Sequence, residues 1–225
     1  MRNRTRRRLE MLDRVMTFID SYPSDDPAFV SVAAAVRSGL ERAHALAAAE
    51  VAGRAAEMAA VAQRQQLRRR IRDRYLRYAV DVAARARKSA DDRVPEVRLP
   101  DRHAPNAEFL VAARTILDTL LPAREILVGS GLASGTLDEL AADIATFESA
   151  GSAAAAAMMQ HVGARAQLDA TARDCVALVR ILGGFNRTRF GDDPGVWAVW
   201  LESSHVAADP ARAADSDVAV NVELA

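Results

Sequence analysis

Two Glu-x-x-His pairs, Glu41-Arg-Ala-His44 and Glu202-Ser-Ser-His205, have the spacing that puts a carboxylate and an imidazole on one helix face. In helical bundles that arrangement serves dinuclear iron chemistry, which also requires carboxylates from two further helices at the same level. Glu125 and Glu148 are the residues that could be nominated. The four-carboxylate pattern is incomplete, and Glu41 and His44 each stand one residue off the apolar stripe of their helix. They are weak metal candidates, and the plainer reading is histidines at helix edges.

A second constellation is basic. Arg64, Arg68, Arg69, Arg70, Arg72, Arg74 and Arg77 crowd one stretch, relieved only by Asp73, with Tyr75 and Tyr78 close by. Arginines with interleaved aromatic side chains suit a nucleic-acid backbone and stacked bases. Against that use, Lys+Arg and Asp+Glu each total 30, and Lys88 is the only lysine. An arginine-biased composition weakens the case that any single arginine was chosen for its chemistry. The favoured reading is a solvated helix face, neutralised by acidic residues such as Asp169 and Asp174 on a neighbouring helix.

The remaining reactive types offer less. Cys175, the one cysteine, lies on an apolar stripe where thiols behave as small hydrophobes, and no intramolecular disulfide is possible. His161 and Arg165 interrupt another stripe, where polar residues fix register or pair across an interface. Trp197 and Trp200 are three apart on a short amphipathic segment, suited to docking that segment or to anchoring a partner. Gly129-Ser-Gly131 has no preceding strand, so it is no phosphate loop.

The elements that position these residues are helical. Between Pro27 and Pro95 there is no proline, and Gly39 and Gly53 are the only glycines. Such a stretch predicts one very long helix, or one with a soft kink. Its start is marked by Asp26-Pro27, a side-chain acceptor followed by a residue that surrenders a donor with no partner. The expected inward face is Phe29, Val32, Val36, Leu40, Ala43, Ala47, Val51, Met58 and Val61, then Leu67, Ile71, Tyr75, Tyr78 and Val82. Several of these recur at eleven-residue spacing, which keeps a stripe nearly straight.

Before it, Leu9, Leu12, Val15, Met16 and Ile19 predict a helix from about Arg6 to Tyr22. After it, Pro95, Pro100 and Pro105 mark an extended linker over 91–105. A third helix over 106–128 should kink at Pro122. Thr136 with Glu139 matches a capping box opening a second long helix. That helix carries Leu137, Leu140, Ile144, Phe147, Gly151, Ala154 and Met158, then Leu168, Ala172, Cys175, Val179 and Leu182, and should end near Gly183-Gly184 or Gly191. A second Asp-Asp-Pro, at 192–194, opens the tryptophan-bearing helix, and 204–225 reads as a disordered tail.

With an offset of 108, Leu9, Leu12, Ile19, Phe29, Val32, Val36 and Ile71 fall on Leu117, Leu120, Leu127, Leu137, Leu140, Ile144 and Val179, while Leu40 falls on Glu148. The expected fold is therefore all-α: an elongated antiparallel helical bundle with two very long helices, read as two helical-hairpin repeats side by side. The hairpins occupy 1–90 and 106–191, with the short helix at 192–203.

No apolar run is long enough to span a bilayer, and no leader segment is recognisable, so the expectation is a soluble cytoplasmic chain. The expected role is non-catalytic, structural or protein-interacting, without cofactor, with another protein or a second copy as partner. Trp197, Trp200, Arg64, Arg68, Arg69 and Arg72 are the candidate interaction residues. The alternatives are a nucleic-acid-associated protein, a membrane-active bundle, and a metal-dependent bundle enzyme.

Overall fold

The computed structural model describes residues 3–89 and 93–207. The fold is all-α, with no strand among the described residues. Helix α1 covers Asn3–Ser21 and α2 covers Pro27–Arg69. The helix continues without a break through a π-helical segment, Arg70–Leu76, into α3, Arg77–Lys88. Helix α4 spans Asn106–Leu120 and passes through a 3-10 turn at Leu121–Ala123 into α5, Arg124–Gly129. Helix α6 runs unbroken from Thr136 to Phe190, and α7 covers Pro194–Ser204. Of the tail assigned to 204–225, everything beyond Ala207 lies outside the described residues.

The ends follow local chemistry. Asp26 Oδ1 accepts from Ala28 N–H at 2.8 Å and opens α2. Asp193 Oδ1 accepts from Gly195 and Val196 N–H at 3.0 and 3.1 Å and opens α7. Pro122 deflects the backbone into the 3-10 turn, because a proline there cannot complete an α-helical bond. The capping box at Thr136 does not form: Glu139 N–H bonds to the Gly135 carbonyl, so Thr136 already stands inside the first turn of α6. At its other end α6 passes over Gly183 and Gly184 and stops at Phe190, one residue before Gly191.

The chain divides into two compact units, residues 1–53 with 159–225, and residues 54–158. Each has its own core. In the first, Leu9, Leu12, Val15 and Ile19 of α1 and Trp200 of α7 join Phe29, Val36 and Leu40 of α2 and Leu168, Cys175, Val179 and Leu182 of α6. Within this unit Phe29 meets Phe185 edge-on at 6.0 Å, Gly39 abuts Cys175, and Gly53 abuts His161. Steps up α2 match steps down α6 residue for residue, so the two segments run in opposite directions in one constant register. In the second unit Leu67, Ile71, Tyr75, Leu76 and Val82 pack with Phe109, Ile116, Leu117 and Leu120 and with Leu137, Leu140, Ile144 and Phe147.

Within the π-helical segment Ile71, Tyr75 and Leu76 are buried in the core of the second unit. Of the positions paired by the offset of 108, all but Val32 are buried, and Val32 packs against its core while half-buried. Leu40 is buried, whereas Glu148 is exposed.

One expectation fails in the middle of the long helices. Val51, Met58, Val61 and Tyr78 on the first, and Met158 on the second, are exposed rather than inward. Ala43 is buried as expected, but Glu50 and Ala60, with Ala150, Ala157 and Ala164, are buried in place of those large residues. Small residues take the seam because backbones come close there: a Cβ added to Gly53 would stand 3.0 Å from His161 Cβ and 3.2 Å from its backbone nitrogen. Large side chains are displaced to the flank.

Candidate functional site

The arginine strip belongs to the second unit, and its side chains are spent inside that unit. Arg64 lies over the Phe147 ring, its Cζ 4.7 Å from the centroid, and its guanidinium covers Gly151. Its Nε is buried without a hydrogen-bond partner. Arg68 rests on the Phe109 ring at 4.4 Å and donates to Asn106 Oδ1 at 2.8 Å. It also donates to the carbonyls of Arg102 and Ala104, at 3.2 and 2.6 Å. Arg70 makes a two-pronged bond to the carboxylate of Asp143, and Arg72 donates to the carbonyl of Pro100. Arg74 approaches Glu139 at 3.6 Å.

The expected neutralising partners, Asp169 and Asp174, are replaced in this role by Asp143, Glu139 and backbone carbonyls. Asp169 accepts from Thr5 in the other unit. Arg69, Arg70, Arg74 and Arg77 are exposed and Arg64, Arg68 and Arg72 half-buried, so part of the strip is a solvated face and part is packed into the unit.

Electrostatics follow the packing. The Arg68 guanidinium is held below its ordinary range, first by burial and then by the charges of Arg72 and Arg64. Arg70 is raised, chiefly by its bond to Asp143. The Tyr75 phenol is pushed up by burial, and its hydrogen bond to Glu139 adds to the shift.

The tryptophans belong to the first unit and face inward to different degrees. Trp200 is 2% exposed, its ring 5.1 Å from Phe18 at an interplanar angle of 63°. Gly183 lies beside it, where an added Cβ would stand in ordinary contact, 3.6 Å from the indole nitrogen. Trp197 is half-buried against the same core. Arg189 completes this end, lying over Phe29 and Phe190 while donating to the Pro23 carbonyl at 2.6 Å.

Glu41 and His44 stand on the exposed side of α2, with His44 Nε2 3.7 Å from Asp13 Oδ1. Of the second pair, His205 lends its backbone carbonyl to Arg14 at 2.7 Å. Among the described residues no three His, Cys, Asp or Glu side chains come together as a cation site. Cys175 is buried, and burial followed by the charge of Asp174 pushes its thiol up, away from nucleophilic character.

Two features escaped the sequence reading. Met159 is 70% exposed next to Met158 at 53%, and Val51 and Met58 are each 67% exposed. The Met158-Met159 doublet is itself a signal, because adjacent helix positions point about 100° apart and a narrow seam does not take both. Asn186 is fully buried with both its amide oxygen and its nitrogen unpaired. It continues the inward spacing of Val179 and Leu182 past Gly183-Gly184, one of the two ends expected for this helix.

Comparison with protein-family models gives no match, and neither the curated proteins nor the solved structures give one. Among the described residues no helix is long and apolar enough to cross a membrane.

Proposed function

We propose that this chain is a non-catalytic structural or interaction protein, working through apolar side chains that its long helices leave in water. The observation that carries this reading is the exposure of large apolar residues in mid-helix: Met58, Val61 and Met158 in one unit, Val51, Met159 and Val162 in the other. Methionine adapts to varied partner surfaces, and large apolar side chains left exposed along a helix suit association. The partner is another protein or a second copy of the chain.

The engaged arginines support the same choice. Arg64, Arg68 and Arg72 are half-buried on rings and carbonyls, which draws them away from phosphate, while Arg70 and Arg74 are exposed and paired with carboxylates.

The test combines light scattering on the purified chain with pull-down from native lysate, with and without nuclease. Wild type is compared with Met58→Glu and Met159→Glu. Self-association, or a specific protein retained after nuclease, should be lost in either variant. Association that vanishes on nuclease treatment and falls on changing Arg68, Arg69 and Arg72 to Ala would transfer the role to the arginine strip. A monomer that retains nothing would remove the interaction reading.

A further inference from the structure

Residues 93–105 join α3 to α4 with neither helix nor strand. Pro95, Pro100 and Pro105 deprive this segment of three backbone donors, so it does not knit itself into regular structure. Among the described residues the backbone bond within it runs from Ala104 N–H to the Asp101 carbonyl, at 3.3 Å. Its last residue, Pro105, gives its carbonyl to Phe109 N–H of α4 at 2.9 Å, and two side chains of the long helix bond further carbonyls. Arg68 holds Arg102 and Ala104, and Arg72 holds Pro100. Apolar contact adds Val94, which is buried, and Val97 and Leu99, which are half-buried against the core of this unit.

The fit is incomplete on one side. A groove of about 400 Å³ runs between the segment at Pro95, Glu96 and Val97 and helix α3 at Ala83, Ala84, Arg87 and Lys88. Glu96 bridges to Arg87 at 3.1 Å, with both side chains about half exposed. Exposed pairs of this kind contribute little. Local opening is cheapest where backbone bonds are few, and this segment has few of its own beside helices whose bonds are internal.

We propose that residues 93–105 form a strap that lifts from its unit as one piece while the helices stay folded, with Arg68 and Arg72 as its latch. Lifting uncovers Val94, Val97 and Leu99 and widens the groove beside α3. The strap thereby controls access to an apolar surface in this unit, independently of the exposed methionines.

The experiment uses the full chain carrying Val94→Cys, labelled with a small aromatic disulfide, with the buried Cys175 as internal reference. Each thiol's rate is normalised to its own rate in denaturant. Cysteine at 94 should react about a hundredfold faster than Cys175 under native conditions, since local opening outruns global unfolding. Arg72→Ala and Arg68→Lys should each raise the rate at 94 about tenfold, with helical circular dichroism unchanged. Equal normalised rates at 94 and 175, or rates indifferent to the latch variants, would overturn the proposal. Trypsin cleavage after Arg98 and Arg102 gives a second readout without a new cysteine. It should precede cuts within helices α2 to α6 and accelerate in Arg72→Ala, and a strap that resists trypsin as long as those helices do would also overturn the proposal.

Discussion

Gly53 lies against the backbone of His161 so closely that a methyl group at position 53 would stand 3.0 Å from His161 Cβ and 3.2 Å from its nitrogen. Contact with another main chain leaves an added Cβ short of room by a few tenths of an ångström, in a place where the obstacle is backbone. A displaced rotamer relieves a clash with a flexible tip, but relief at this point requires two helices to part.

Gly53→Ala should therefore lower stability by about 1–2 kcal/mol despite its better helix propensity. Gly163 is the control, since it lies in α6 with nothing within 4 Å of an added Cβ. Gly163→Ala should raise stability by about 0.5–1 kcal/mol through propensity alone. Thermal or urea unfolding of the pair checks the opposite signs.

The Arg70–Asp143 pair should show strong coupling. Asp143 is nearly buried and Arg70 half exposed, so removing the cation leaves a carboxylate with little water to replace it. Arg70→Ala is expected to destabilise, and adding Asp143→Ala to it should recover part of the loss. A double-mutant cycle by urea unfolding checks this, and simple additivity would mean the bond contributes nothing.

Asn186 predicts a gain. A fully buried amide with neither donor nor acceptor satisfied costs roughly 1–3 kcal/mol, so Asn186→Leu should raise the melting temperature by several degrees. Calorimetry decides, and a lower melting temperature would mean that the amide is satisfied in solution.

Tyr75 sets an alkaline limit. Its folded pKa lies above the ordinary value of about 10, because burial disfavours the phenolate and Glu139 accepts from the neutral hydroxyl. The unfolded chain therefore releases this proton first. The contribution to stability is complete below about pH 10 and is lost as pH rises through the folded pKa. Tyr75→Phe should flatten the fall in melting temperature above pH 10 while leaving the neutral range nearly unchanged. Unfolding curves between neutral pH and about pH 11 check the slope.

Much of the fold was legible in the sequence, for identifiable reasons. Asp26-Pro27 and Asp193-Pro194 announce helix starts by chemistry that acts within three residues, and Pro122 bends the chain wherever it stands. The stripes of Leu9 to Ile19 and Leu137 to Phe147 are wide and made of large residues, so their inward face was unambiguous. Legibility fails where size and burial part company. At the Gly53 seam, alanine and glycine face inward while Val51 and Met58 face out, and composition carries no sign of which set wins. The arginines were misjudged for a related reason. Whether Arg64 meets water or the Phe147 ring depends on a helix more than eighty residues away in sequence, and a local charge run reads the same either way.

The exposure of Met58, Met158 and Met159 has a chemical consequence of its own. Their thioethers are the ones a peroxide meets first, whereas Met11 and Met16 are shielded within a core. Conversion to the sulfoxide would turn a polarisable apolar surface into a polar, chiral one, and methionine sulfoxide reductases would reverse it. The side chains best placed to hold a partner are thus also the ones that oxidative stress would alter first, which gives any association built on them a redox sensitivity that the buried core does not share.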